Sequence, residues 1–150
     1  MIHGIDTDFP VAVGIRDHPF HREADALLAS LLEEGHEFAL APQTLAEFIH
    51  VVTDAKRLPK PLEIADAIAR AEHWWQAEEV VRVFPDGHTV SHFLTWLRRH
   101  RLGRKRLLDT LLAGTYHAMG IKKLITNNGS DFRGLEVFEI VTFNSPERRT

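Results

Sequence analysis

The stretch Ile2-His3-Gly4-Ile5-Asp6-Thr7-Asp8 places two carboxylates directly after a short apolar run. A run of this length that ends in polar residues is typical of a buried β-strand. Pro10 follows closely, and a short helical segment is predicted through residues 11–13. In open α/β sheets, ligands bind beyond the carboxyl ends of the strands. The first strand therefore predicts that Asp6 lies at the functional edge of a sheet.

Short apolar runs alternate with amphipathic helices along the rest of the chain. Further strands are predicted at residues 38–41, 80–84, 123–126 and 137–141. Helices are predicted over residues 21–34, from residue 42, and over residues 62–79, 88–100 and 107–119, with Gly35 in a helix C-cap position. This alternation predicts an α/β fold in which a parallel sheet is covered by helices on both faces.

The composition suits one globular domain over residues 1–150. Hydrophobic residues make up 44% and charged residues 26% of the chain, an ordinary globular balance. No apolar run approaches the ~18 residues of a membrane span, and no basic segment followed by an apolar stretch indicates a secretory signal. Cysteine is absent, which excludes disulfides and cysteine-ligated zinc and is compatible with a reducing cytoplasm.

Charge is distributed unevenly along the chain. Residues 1–97 hold 7 Lys and Arg against 16 Asp and Glu, whereas residues 98–150 hold 11 against 5. Six basic residues lie between positions 98 and 106: Arg98, Arg99, Arg101, Arg104, Lys105 and Arg106. Such a cluster beside an acidic metal site would attract a polyanion, while the metal would carry out the chemistry. The cluster is explained equally well as the solvated end of a helix, where basic side chains are favoured.

Four acidic residues lie where predicted elements begin, end or turn: Asp6, Glu47, Asp109 and Asp131. Each has an ordinary explanation when taken alone. Asp6 and Asp131 suit turns or helix caps, Asp109 suits a helix N-terminus, and Glu47 lies opposite an apolar stripe, as on a solvated helix face. If the fold gathers them, they supply the oxygen ligands that Mg²⁺ or Mn²⁺ prefers. Both interpretations are open at this point.

The ordered set of motifs resembles the PIN-domain ribonucleases, and most closely the VapC-type toxins of type II toxin–antitoxin pairs. The matching segments are residues 5–7, residues 18–24 with a His-Pro before a helix, residues 41–48, residues 108–113 and residues 126–132. The resemblance implies a PIN-like three-layer α/β/α sandwich with a central, mostly parallel sheet. It also implies a cytoplasmic, metal-dependent endoribonuclease that acts as a toxin.

The resemblance assigns roles to individual residues. Asp6, Glu47, Asp109 and Asp131 would be catalytic, with Asp6 and Asp109 as direct ligands of Mg²⁺ or Mn²⁺. The polar supports would be Thr7, Asp8 and Asn128, and the contacts to substrate phosphate would be Arg104 and Lys105. The implied partners are an RNA substrate, a cognate antitoxin and a second copy of the chain in a homodimer.

Asp8 departs from the family pattern and suggests an alternative. The family usually has Asn, Ser or Thr two residues after the first Asp, and this chain has a carboxylate there. An Asp-x-Asp pair after a strand also resembles the haloacid-dehalogenase phosphatases, with Asp6 as nucleophile and Asp8 as general acid. Phe9-Pro10 replaces the expected continuation of that motif. A non-catalytic RNA-binding module with a PIN-like fold is the other alternative.

Overall fold

A computed structural model describes residues 1–144 of the chain. The elements run in the order β1 (Ile2–Ile5), α1 (Asp8–Gly14), α2 (His21–Glu33), β2 (Glu37–Leu40), α3 (Pro42–Val52), α4 (Ile64–Gln76), β3 (Val80–Arg82), α5 (Gly87–Arg99), α6 (Leu107–Ala118), β4 (Lys123–Ile125) and β5 (Glu139–Val141). Single 3₁₀ turns lie at Arg104–Arg106, Gly129–Asp131 and Arg133–Leu135. None of the helices in this part of the chain is both long and apolar enough to cross a bilayer.

The strands form one parallel sheet in the order β3-β2-β1-β4-β5. Gly4 of the central strand is paired with Ala39 of β2 on one side and with Leu124 of β4 on the other. The chain leaves β1 toward β2 and later returns to the opposite side of β1 with β4. This reversal creates a crevice beyond the carboxyl ends of β1 and β4, which is where ligands bind in such sheets.

Helices cover both faces of the sheet, as the sequence predicts. Side chains alternate between the faces along a strand. Thus Phe38 and Leu40 pack with α1 and α2, while the intervening Ala39 packs with α5 and α6. A third apolar cluster joins α1 to α3 and α4. The α/β sandwich with a parallel central sheet is therefore confirmed.

Tyr116 of α6 connects one helical layer to the centre of the sheet. Its ring is fully buried against Gly4, and its hydroxyl donates a hydrogen bond of 2.6 Å to the carbonyl of Ile5. The same hydroxyl lies 3.1 Å from the carbonyl of Ala39 in β2. The glycine is needed because a Cβ at position 4 would lie 2.8 Å from Tyr116 Cδ2. The aromatic ring therefore holds the carboxyl end of β1 one residue before Asp6.

The boundaries of several helices and strands differ from those predicted from the sequence. The helix over residues 21–34 ends at Glu33, and Gly35 adopts the left-handed conformation (φ +80°) expected of a C-cap. The helix expected from residue 62 begins at Ile64, beyond the proline-containing loop. The third strand ends at Arg82, and Phe84 is exposed outside the sheet. The fifth strand contains only Glu139–Val141.

We expect Gly4→Ala to destabilise the fold because the added methyl group overlaps the buried Tyr116 ring. The cost should be about 1–3 kcal/mol in the free energy of unfolding, measured by urea denaturation. Gly87→Ala is the matched control, since no atom lies within 4 Å of its added Cβ. Equal stability of the Gly4 and Gly87 variants would contradict the packing role of Gly4.

Candidate active site

Asp6 lies at the crevice, immediately after the central strand, and is almost fully buried. The backbone N–H of Thr7 donates 2.9 Å to Oδ1, and the hydroxyl of Thr126 donates 2.8 Å to Oδ2. Burial first, and then the neighbouring Asp8 carboxylate, raise the pKa of Asp6 to about 7. The Asp6 carboxylate is thus held by short hydrogen bonds in surroundings that disfavour its charge.

Asp8 is the first residue of α1, and its side chain crosses to the loop after β4. Its Oδ2 accepts 2.8 Å from the Asn127 N–H and 3.2 Å from Asn128 Nδ2, and it lies 3.3 Å from the Thr126 hydroxyl. Its Oδ1 is buried and has no hydrogen-bond partner among the residues that the structure describes. Burial raises the pKa of Asp8 to about 6, and the charge of Asp109 contributes to the rise. Asp8 therefore joins the acidic group through the loop after β4.

Glu47 faces the same crevice from α3. Its Oε2 accepts a hydrogen bond of 2.6 Å from the hydroxyl of Thr7, which follows β1. The apolar stripe of α3 predicts a solvated position for Glu47, but the residue is partly buried. Helix periodicity misses this contact because Thr7 is 40 residues away in the sequence.

Asp109 projects from the first turn of α6 toward the other carboxylates. Burial is the main cause that raises its pKa to about 6, followed by the charges of Asp6, Asp131 and Glu47. Arg106 acts in the opposite direction and lowers the pKa of Asp109. These mutual effects identify one acidic site to which separate elements contribute their side chains.

Asp131 ends the 3₁₀ turn after β4, and its partner is an arginine that the motif pattern does not reveal. Arg106 Nη1 donates to Asp131 Oδ1 in a partly exposed ion pair. Arg106 is the last of the six clustered basic residues and lies three positions before Asp109. No local signal separates it from Lys105, which lies four positions before Asp109, because its partner Asp131 is 25 residues away in the sequence.

The expected polar supports lie at the site, whereas the expected phosphate contacts lie at its margin. Thr7 binds Glu47, and Asn128 binds Asp8. Arg104 and Lys105 are exposed on the short turn before α6. Their proximity to Asp109 in sequence keeps them close to the acidic site, but it is Arg106 that turns inward.

The donor set suits a hard divalent cation, although the side chains do not form a ready-made cage. Within residues 1–144, no group of three or more His, Asp or Glu side chains is arranged as a metal-binding cluster. Nevertheless, Asp8 Oδ1 is a buried acceptor that receives no hydrogen bond from the described part of the chain. The pKa values of Asp6, Asp8 and Asp109 are all raised by burial and by neighbouring carboxylates. A cation among them would offset that repulsion, so the residues fit a Mg²⁺ or Mn²⁺ site.

Solved structures with the same fold come from toxin–antitoxin pairs. The VapC20 toxin of Mycobacterium tuberculosis, which cleaves the sarcin–ricin loop, superposes with a TM-score of 0.69 at 19% identity, covering 89% of this chain and 95% of that chain. VapBC2 of Rickettsia felis, bound to a promoter DNA fragment, superposes with a TM-score of 0.65 at 19% identity over 95% of this chain and 98% of that chain. VapBC-1 of nontypeable Haemophilus influenzae superposes with a TM-score of 0.65 at 18% identity, covering 97% of this chain and 100% of that chain.

Family membership follows from the sequence match. No curated protein matches the chain, but the PIN domain family model matches residues 5–137. That range contains the acidic residues of the crevice, from Asp6 to Asp131, and the strand β4 that precedes Asp131. The chain belongs to the PIN domain family.

Proposed function

We propose that residues 1–150 form a single metal-dependent endoribonuclease domain, the cytoplasmic toxin of a toxin–antitoxin pair. The observation that carries this proposal is the convergence of Asp6, Asp109 and Asp131 with Glu47 and Asp8 at the carboxyl ends of β1 and β4. Buried carboxylates with raised pKa values are costly to a fold, and they cluster at functional sites. Hydrolysis of a phosphodiester would use such carboxylates to bind a metal ion and to orient water.

Asp6 and Asp109 are the proposed direct ligands of Mg²⁺ or Mn²⁺. When bound, such an ion supplies an activated water and shields the negative charge of the phosphate. Thr126 and the Thr7 N–H keep Asp6 oriented. Each Asp6 oxygen accepts one of these hydrogen bonds and retains a lone pair, because a carboxylate offers about four acceptor sites. Glu47 and Asp131 would orient the attacking water.

RNA is the proposed substrate. The site combines an acidic centre with the exposed basic residues Arg104 and Lys105 one turn before Asp109. These two side chains would contact backbone phosphates, which supply much of the affinity for nucleic acids. A relative of the same fold, VapC20, cleaves the sarcin–ricin loop, and this supports RNA over DNA as the polymer.

An antitoxin and a second toxin chain are the proposed protein partners. Several structures with this fold are complexes from toxin–antitoxin pairs. A cavity of about 200 Å³ lies between α2 and α4, with Leu28, Leu32 and Trp74 in its lining. This apolar cavity is a candidate seat for the antitoxin. The exposed Val90 and Leu94 of α5 are candidates for the homodimer contact.

We expect Asp6→Asn and Asp109→Asn to abolish Mg²⁺- or Mn²⁺-dependent cleavage of bacterial ribosomal RNA while folding is kept. Loss of a metal ligand should lower the cleavage rate by at least about a hundredfold, measured by gel assay on antitoxin-free protein. Glu72→Gln, an exposed substitution on α4, is the charge-matched control and should cleave like wild type. Absence of cleavage by the wild-type chain would refute the proposed activity.

Asp8→Asn distinguishes the nuclease from a phosphatase. In a nuclease we expect only a reduction of about 10- to 100-fold, because Asp8 would support the site rather than carry the reaction. A haloacid-dehalogenase mechanism needs Asp8 as general acid, so Asp6→Asn and Asp8→Asn would then be equally inactive toward a phosphomonoester. The measurement is the turnover of RNA and of a phosphomonoester by each variant.

We expect Asp6→Asn to stabilise the protein in EDTA at pH 8. The pKa of Asp6 is raised to about 7 in the folded chain from about 3.9 in the unfolded chain. The folded chain therefore binds more protons between about pH 4 and 7, and stability is lost as the pH rises through that window. Asn removes the buried charge, keeps the acceptor for the Thr7 N–H, and can donate to the Thr126 hydroxyl.

The gain in the free energy of unfolding should be about 1–3 kcal/mol at pH 8 and should shrink toward pH 4. The measurement is urea denaturation of both proteins at each pH, so that titration of other groups cancels in the difference. Added Mn²⁺ should raise the melting temperature of wild type more than that of Asp6→Asn. A variant less stable than wild type at pH 8 would contradict the electrostatic cost assigned to Asp6.

A further inference from the structure

Arg106 is fixed at the rim of the acidic site by two contacts. Its guanidinium pairs with Asp131, and its carbonyl accepts a hydrogen bond of 2.6 Å from the Thr110 hydroxyl. The side chain is 40% exposed and that of Asp131 is 32% exposed. The pair therefore joins α6 to the turn after β4 while the guanidinium still reaches solvent.

Stability alone is a weak explanation for this ion pair. Partly exposed pairs contribute about 0–1 kcal/mol to folding. The position of Arg106 is more informative, because its guanidinium lies beside the acidic site, against Asp131 and three residues before Asp109. Its role is thus expressed at the acidic site rather than in the core.

The geometry also leaves Arg106 able to bind an anion. A guanidinium carries five N–H donors in a planar fork, and the contact with Asp131 engages Nη1. A phosphodiester that approaches five carboxylates meets strong repulsion unless a cation faces it. Asp131 restrains the guanidinium before substrate arrives, which lowers the entropic cost of a phosphate contact.

We propose that Arg106 binds a backbone phosphate of the RNA at the cleavage site, with Asp131 holding its guanidinium in place. This inference rests on the proposed ribonuclease function. It differs from the general attraction exerted by Arg104 and Lys105, which are exposed on the turn before α6. Arg106 would place one phosphate beside Asp109, whereas its basic neighbours would hold the strand more loosely.

Binding of a fluorescent single-stranded oligouridylate, followed by anisotropy over a salt series, tests the contact. All proteins carry Asp6→Asn so that the RNA stays intact. Arg106→Gln should weaken binding and reduce the slope of log K against log salt by about 0.7, the value of one phosphate contact in single strands. Arg57→Gln is the matched control, since Arg57 pairs with Asp54 at 3.5 Å on the loop after α3.

A charge-balanced variant removes the main ambiguity. Arg106→Gln alone leaves Asp131 unpaired, and its free charge could repel RNA at a distance. Arg106→Gln combined with Asp131→Asn keeps the net charge, so a persistent loss of affinity and slope supports a direct phosphate contact. Binding restored to the level of the parent protein would overturn it, since Arg106 would then act only by neutralising Asp131. Circular dichroism verifies that each variant is folded.

Cleavage assays with proteins that keep Asp6 test the phosphate contact of Arg106 separately from the proposed ribonuclease function. We expect Arg106→Gln to raise KM for RNA and Arg106→Lys to recover part of the loss, because Lys keeps the charge without the fork. If wild type cleaves RNA and Arg106→Gln has the same KM as Arg57→Gln, only the phosphate contact is refuted. If wild type neither cleaves nor binds RNA, the ribonuclease function fails and this inference fails with it.

Discussion

The hydrogen bond between Asp6 and Thr126 is the interaction on which the rest of the site depends. It joins the residue after β1 to the residue after β4 at 2.8 Å, at the point where the strand order reverses. The Asp6 N–H also donates to the Ile125 carbonyl at 3.1 Å, so the parallel pairing continues to the first carboxylate. Below it, Tyr116 fixes the carbonyl of Ile5. The position of Asp6 is therefore set by the sheet and not by a flexible loop.

Once Asp6 is fixed, the partly or fully buried Asp8 and Asp109 are brought close enough for the carboxylates to repel one another. Thr7 holds Glu47, and Asn127 and Asn128 hold Asp8. Donors of this kind favour the charged form, yet burial outweighs them and the pKa values of Asp6 and Asp8 rise. The fold tolerates this arrangement because the apolar layers on both faces of the sheet provide the stability. Buried carboxylates that lower the stability of the fold and are held in place by hydrogen-bond donors are typical of catalytic centres.

The layered architecture could be predicted from sequence because it depends on local patterns. Apolar runs indicate the strands, and Gly35 ends α2 in the left-handed conformation that its position suggests. Glu47 and Arg106 show what local patterns cannot predict, because both residues contact distant parts of the sequence. The apolar stripe on α3 indicates only which side of the helix is buried. It cannot predict the hydrogen bond to Glu47, because Thr7 belongs to a different part of the chain. Arg106 is one of six clustered basic residues, and only the path of the chain after β4 brings Asp131 to it.

The acidic site can suit a divalent cation although its side chains are not arranged as a complete set of metal ligands. The oxygens of Asp6 each accept one hydrogen bond. Asp8 Oδ2 accepts two, from the Asn127 N–H and Asn128 Nδ2, whereas its Oδ1 accepts none from the residues that the structure describes. Carboxylates held in this way keep lone pairs that are free to bind a cation or a proton. With pKa values near 6 and 7, protons serve that purpose in acid but are largely lost above neutrality. In that range a divalent ion is the group that can stabilise the site while its carboxylates are ionised.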